Sequence, residues 1–283
     1  MLTAHSPGAT WYALGAIVLW ASLAALGVAL ASVPPFLLTG IALLIGSMPT
    51  WPLVARRPSL WRVAPSTLVL GVAGLFGFHF LLFLALRTAP PVQVNLVNYL
   101  WPLFIVLLSP VLLPGMALRL QHVLAALLGF GGAAIAILGA SDAGVDWSWG
   151  YLLALASALV WACFSLLTRR VPPFPTVAVG LFGMVSGVLS LLCHALLEPA
   201  TVLGTREWLL LAAAGFGPLG LAFLLWDKAL KRGDPRQIGI LSYLTPLLST
   251  AVLMLMGAGP FRWSIVLAAG MIVGAALLGS RVR

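Results

Sequence analysis

The stretch Gln93–Leu103, "QVNLVNYLWPL", decides how this chain is read. It puts two Asn, a Tyr, a Trp and a Pro inside an apolar run that reaches from about residue 91 to 112. At helical spacing Asn95, Asn98, Tyr99 and Pro102 stand at i, i+3, i+4 and i+7, so they share one face. In hydrocarbon such a face turns toward other helices or a water-filled cavity, because lipid offers its polar groups no partner. Pro102 brings no N–H to the helix and leaves the carbonyl of Asn98 without its usual donor. The stretch also recurs. "QIGILSYLTPL", Gln237–Leu247, lies 144 residues further on, with Gln, Tyr, Leu, Pro and Leu in register. Its stripe is Gly239, Ser242, Tyr243 and Pro246, and Pro246 frees the carbonyl of Ser242.

The surroundings of both stretches are equally apolar. Of 283 residues, 62% are hydrophobic and only 7% charged, against roughly 25% charged in soluble domains. Too few ionic side chains exist to cover a water-facing surface, so the chain is expected to be a polytopic membrane protein. A spanning helix takes about 20 apolar residues. A spanning strand would need period-two alternation, which these Leu-, Ala- and Gly-rich runs lack. The expected fold is all-α, with ten spans over about 11–31, 34–54, 64–87, 91–112, 121–140, 148–169, 175–196, 207–229, 235–256 and 262–280. Links are short, Asp142 and Asp146 mark the middle one, and residues 1–283 read as a single membrane domain. The first run has no basic residue ahead of it and is expected to be a retained helix rather than a signal peptide. With ten spans both termini share a side. Twelve of the fifteen basic residues fall on that side and only Arg87, Arg206 and Arg262 on the other. The positive-inside rule then puts both termini in the cytoplasm. The formal charge of +9 therefore reports topology, and no nucleic-acid partner is expected. Cys163 and Cys193 sit inside apolar runs and read as small core residues.

The recurrence extends beyond the two stretches. Ala85-Leu86 matches Ala229-Leu230, Pro91 matches Pro235, and "LWASL" (Leu19–Leu23) echoes "VWACF" (Val160–Phe164). Two five-helix repeats follow, 11–140 and 148–280, and an odd number of spans makes them run in opposite directions. Inverted repeats of this kind place a substrate site near the bilayer midplane, around a central cavity. Trp20, Trp101 and Trp161 fall mid-span, where an indole N–H has no water to bond. They either line an aromatic cavity or pack between helices with the N–H on a carbonyl. The other Trp, Trp226 among them, lie near span ends and read as an interfacial belt. His79 is a lone mid-span imidazole, either a satisfied structural residue or a hydrogen-bonding or titrating group of the site. Gly74 in "GVAGLFG" and Pro218 in "GFGPLG" occupy matched places in the two halves and mark helix breaks, which with Pro102 and Pro246 are candidates for kinking and gating. Asp227 and Lys228 close the eighth run, where they either pair with each other or with the interface, or serve as a gate. The small residues of Gly129–Ala134 and Gly270–Gly279 let helices five and ten approach closely, or form a contact between copies, so a monomer or a weak homodimer is expected.

The sequence also excludes much. No carboxylate lies deep in a span, no deep basic cluster exists, and no phosphate-binding loop, metal-ligand spacing or nucleophile motif is present. No catalytic residue, metal or cofactor is expected, and the protein does not read as an enzyme. A neutral or zwitterionic small molecule with an apolar or aromatic body suits this inventory. The paired motifs "ALRTAPPVQVNLVNYLWPL" and "ALKRGDPRQIGILSYLTPL", with ten spans in two halves, resemble the EamA-type branch of the drug/metabolite transporter superfamily. Within it, "NYLWPL" and the midplane Trp residues resemble the YddG-type aromatic amino acid exporters. The resemblance implies a basket-like bundle and export of aromatic and other neutral amino acids across the bacterial inner membrane by alternating access. Carried onto this chain, it implies a site of Trp20, His79, Asn95, Asn98, Tyr99, Trp101, Trp161, Ser242 and Tyr243. Proton coupling is left open, and a broad exporter of hydrophobic drugs or other metabolites is the alternative.

Overall fold

The computed structural model describes residues 7–138, 147–256 and 263–280. Asp142, Asp146, Arg262, Arg281 and Arg283, on which parts of the topology reading rest, lie outside them. Among the described residues the protein is helical throughout, with no strand. Nine helices among the described residues are long and apolar enough to cross a membrane: Gly8–Ala29, Pro35–Arg56, Pro65–Thr88, Pro91–Leu112, Leu120–Leu138, Gly150–Leu167, Thr176–Leu197, Thr205–Arg232 and Pro235–Leu255. A shorter apolar helix, Trp263–Gly279, follows. We refer to the nine as spans one to nine and to the last as the C-terminal helix.

Proline sets where several spans start. Pro35, Pro65, Pro91 and Pro235 open their helices, where a missing N–H costs nothing and the fixed φ is already helical. Ahead of Pro235 the Asp234 side chain accepts from the Arg236 N–H and caps span nine.

Several spans are interrupted, spans three, four, eight and nine among them. Span four is helical over Pro91–Asn98 and again over Trp101–Leu112, with a turn at Tyr99-Leu100. Span nine breaks the same way, Pro235–Leu241 then Leu244–Leu255. Spans three and eight each contain a π-helical turn, Ala73–Gly77 and Gly217–Leu221. Such turns leave carbonyls off the regular ladder and are frequent at functional sites. One expectation needs correcting. The Ser242 carbonyl is not free, because the Thr245 N–H, three residues on, donates to it at 3.0 Å.

Packing pairs distant spans: one with eight, two with seven, three with six, four with six and nine, and five with the C-terminal helix. Lipid tails are as apolar as Leu, so such contacts rest on close fit rather than on the hydrophobic effect. Small residues supply the fit. A Cβ at Gly220 would stand 2.6 Å from the Gly46 Cα, so spans two and eight touch backbone to backbone. The broken spans four and nine cross at Gly239, where a Cβ would lie 3.2 Å from the Pro102 carbonyl oxygen.

Candidate functional site

Spans one, four, six and eight converge on a cluster of indoles. The Trp20 ring lies 6.4 Å from Trp101 and 5.8 Å from Trp161, both edge-on, and Trp101 and Trp161 are 6.3 Å apart. The structure therefore brings the three mid-span Trp residues together. A fourth joins them. Trp226 is 5.2 Å from Trp20, 5.6 Å from Trp101 and 6.3 Å from Trp161, and it is 1% exposed. Sequence reading places Trp226 at the membrane interface because Asp227, Lys228, Lys231 and Arg232 follow it. Span eight runs 28 residues to Arg232, well beyond the ~20 a bilayer needs, and Trp226 lies six residues before its end with its ring turned into the bundle. Phe223 fills the remaining side, 5.7 Å from Trp161 and 6.0 Å from Trp20.

Each buried indole of spans one and eight finds an acceptor, as dry surroundings require. The Trp20 Nε1–H donates to the Pro218 carbonyl at 3.1 Å, inside the π-helical turn of span eight. The Trp226 Nε1–H donates to the Ser165 hydroxyl at 3.1 Å. His79 joins the cluster through Phe223, 6.4 Å away, and its Nδ1 lies 2.6 Å from the Leu75 carbonyl. A carbonyl only accepts, so Nδ1 carries the proton and Nε2 is the acceptor of the neutral ring. That carbonyl belongs to the π-helical turn of span three, which also holds Gly74. A Cβ on Gly74 would collide with the Phe164 ring, and Phe164 packs on Trp161 at 5.3 Å.

The other sequence candidates scatter. Asn98 is buried, with the Ser157 hydroxyl 3.3 Å from its Oδ1 and 3.1 Å from the Phe78 carbonyl. Tyr99 is half-buried and Asn95 exposed on the same span. Ser242 is buried and its hydroxyl donates to the Ile238 carbonyl of its own helix at 2.9 Å. Tyr243 packs away from the indoles, against Gly129, Phe130, Ala133 and Ile272. Pro102 and Pro246 are buried beside the two breaks. The expected central cavity is filled by these rings. Beside Phe223, a slot between spans two, three, seven and eight offers ≈ 10 Å³, room for the centre of about one water.

The two ends of the bundle are fastened differently. At the basic end, Asp227 accepts from the Thr176 hydroxyl at 2.6 Å and from Lys231 at 2.7 Å. Lys231 also donates to the Phe174 carbonyl at 2.9 Å and sits over that ring. Lys228 lies over the Tyr12 ring instead. Arg169 donates to the Gly233 carbonyl and Arg236 to that of Ala117. Burial pushes the Asp234 carboxyl up, but its hydrogen bonds to Arg236 and that charge outweigh burial and hold it below the usual range. At the opposite end Glu198, its side chain fully buried, accepts from Arg87 at 2.8 Å, from the Phe36 and Leu37 N–H groups at 3.0 and 3.2 Å, and lies 3.0 Å from His194 Nδ1. This carboxylate satisfies N–H groups that the start of span two leaves without a partner in the helix. No short motif signals it, since its donors lie 161 and 162 residues away. Toward this end Leu23–Ala29 of span one carries no buried side chain, and in Leu244–Leu255 of span nine only Thr245 and Pro246 are buried.

Known proteins resemble this arrangement. The EamA-like transporter family model matches the chain twice, over residues 7–138 and 148–281. A protein of Ancylobacter novellus named aromatic amino acid exporter YddG is 41% identical over 279 residues, 96% of each chain. Its namesake in Salmonella typhimurium is 28% identical over 96% of this chain and 97% of its own. A solved crystal structure, 41% identical, superposes with a TM-score of 0.90 and covers 95% of both chains.

Proposed function

The chain belongs to the EamA-like transporter family, and from that premise we propose that it exports aromatic, and other neutral, amino acids across the bacterial inner membrane by alternating access. Both termini face the cytoplasm in this reading, so the basic end is the cytoplasmic one and is closed in the conformation described. The observation that carries the proposal is the meeting of Trp20, Trp101, Trp161 and Trp226 where four spans converge. An indole cage discriminates by ring contact and shape and offers little to a lipophilic cation beyond ring faces, as each carboxylate among the described residues is engaged with other partners. The 41% identity with a protein named as an aromatic amino acid exporter supports the same substrate class.

In this reading a substrate ring displaces cage rings and takes over their edge and face contacts. Its ammonium and carboxylate meet His79 Nε2, which reaches the cage through Phe223, and the Asn95, Asn98 and Tyr99 side chains of span four. The π-helical turns at Ala73–Gly77 and Gly217–Leu221 stand 144 residues apart, as do the recurring motifs, which supports two inverted repeats whose breaks are the hinges of rocking. Glu198 holds spans two, three and seven as one body, while the less buried ends of spans one and nine leave the opposite end freer to admit water. The test is counterflow of labelled Phe into proteoliposomes, with and without a proton gradient. Unlabelled Phe and Trp inside should drive accumulation, and a lipophilic cation should not. Drive by the cation but not by Phe or Trp would reject the aromatic assignment, and a response to the gradient would establish proton coupling.

A further inference from the structure

The eighth span carries more than one wall of the cage. Beyond its π-helical turn, Gly217–Leu221, the segment Ala222–Arg232 presents Trp226 to the cage and, one residue on, Asp227 to the basic-end closure. Neighbours on a helix point about 100° apart, so the two side chains reach different spans from one backbone position. Trp226 touches the rings of Trp20, Trp101 and Trp161 and bonds Ser165 of span six. Asp227, 5% exposed, holds Thr176 at the start of span seven, and Lys231 one turn later holds the Phe174 carbonyl in the link before it. The segment has few other ways to sit. Gly220 lies against the Gly46 backbone, and Trp20 bonds Pro218 at the turn. Rotation at the π-helical turn thus moves Trp226 and Asp227 together.

We propose that Trp226 is a specificity-determining residue of the transport site, which makes closure of the Asp227–Thr176 and Lys231–Phe174 clasp depend on an aromatic ring in the cage. This rests on the reading of the protein as an aromatic amino acid exporter. When the clasp is open, Trp226 has left its partners. Closing returns it to the cage, where a bound substrate ring restores the ring neighbours it needs. A small or aliphatic side chain leaves Trp226 short of such neighbours, so the clasp closes poorly around it. Lys231 at 2.7 Å and Thr176 at 2.6 Å hold the Asp227 carboxylate, and Lys228 on the same helix is turned to Tyr12.

The experiment pairs selectivity with accessibility. Proteoliposome transport of labelled Phe and Leu is compared in the unaltered protein, Trp226→Phe, Trp226→Leu and Thr176→Val. A reporter, Ala178→Cys in a Cys163→Ala, Cys193→Ala background, is labelled with a soluble maleimide in detergent, with and without Phe. Ala178 is fully buried just behind the clasp. Trp226→Leu should lower the Phe-to-Leu preference, by about two- to tenfold for each aromatic pair that the substitution removes, and abolish the slowing of labelling by Phe. Trp226→Phe should keep most of both. Thr176→Val should speed labelling severalfold and raise leak of Phe and Leu alike, with the preference intact. An unchanged preference in Trp226→Leu, while the unaltered protein transports Phe, overturns the role of Trp226 alone. If Trp226→Leu fails to fold, the reporter in Trp226→Phe and Thr176→Val decides, and Thr176→Val that labels no faster overturns the clasp. An unaltered protein that transports no aromatic amino acid overturns both this inference and the exporter reading.

Discussion

At the scale of the residue, hydrogen-bond accounting decides which side chains matter. An indole N–H in a dry interior must find an acceptor, and losing a partner there costs about 1–3 kcal/mol. Trp20 uses the Pro218 carbonyl. Trp20→Phe keeps the ring but strands that carbonyl, so thermal stability in detergent should fall by an amount in that range, measured by scanning fluorimetry. Trp101→Ala tests the proposed site itself. Ring pairs contribute about 0.5–1.5 kcal/mol each beyond burial, and Trp101 makes three with Trp20, Trp161 and Trp226. The KM for Phe should rise by about tenfold or more, while transport of Thr changes little. Equal loss for both would remove the stacking role. The mid-span Trp residues were legible in the sequence because their depth in an apolar run is a count along one line. Trp226 was not, since hydropathy assigns a charged helix end to the interface and knows nothing of the helix that runs on past it. Tyr243 was misleading for the converse reason: its place in a motif matching that of Tyr99 says nothing of which neighbour its ring meets, and here that is Gly129.

At the scale of the element, span starts and breaks follow from Pro and Gly, which act locally and so show in the sequence. Pro91 and Pro235 open helices, and Gly74 and Pro218 lie in the two π-helical turns. What joins one element to another is less visible. Glu198 ends span seven and caps span two through two backbone N–H groups, and a backbone group has no sequence signature. Glu198→Ala would leave these two donors unsatisfied in a buried place and release the exposed Arg87, a loss of about 2 kcal/mol or more. Glu198→Gln retains one acceptor and should lose less. The order Ala below Gln below the unaltered protein in melting temperature checks this, and equal melting of all three would reject the brace. Asp234 offers a pH test at the other end. Its folded carboxyl titrates below its ordinary value of 3.8, so its contribution is complete above that value and fades as pH falls through the folded one. Asp234→Asn should therefore melt lower than the unaltered protein at pH ~7, and the gap should narrow below pH ~4.

At the scale of the whole molecule, closely fitted spans surround a core built largely of rings, and polar fasteners stand at both ends. Fasteners differ in kind: Asp227 with Thr176 and Lys231 at the basic end, Glu198 with backbone and Arg87 at the other. Membrane helices gain little from apolar burial as such, so these few polar contacts carry a large share of what distinguishes one arrangement of spans from another. The filled cage has a thermodynamic consequence. Its indoles already solvate one another, so an arriving ring exchanges places with rings rather than with water. Apolar burial on binding shows as a negative change in heat capacity. Calorimetry with the proposed aromatic ligand at several temperatures should thus give a heat-capacity change well short of that for sealing the same ring into a wetted pocket. On the proposed reading the protein competes with its own cargo for a place that its rings already occupy.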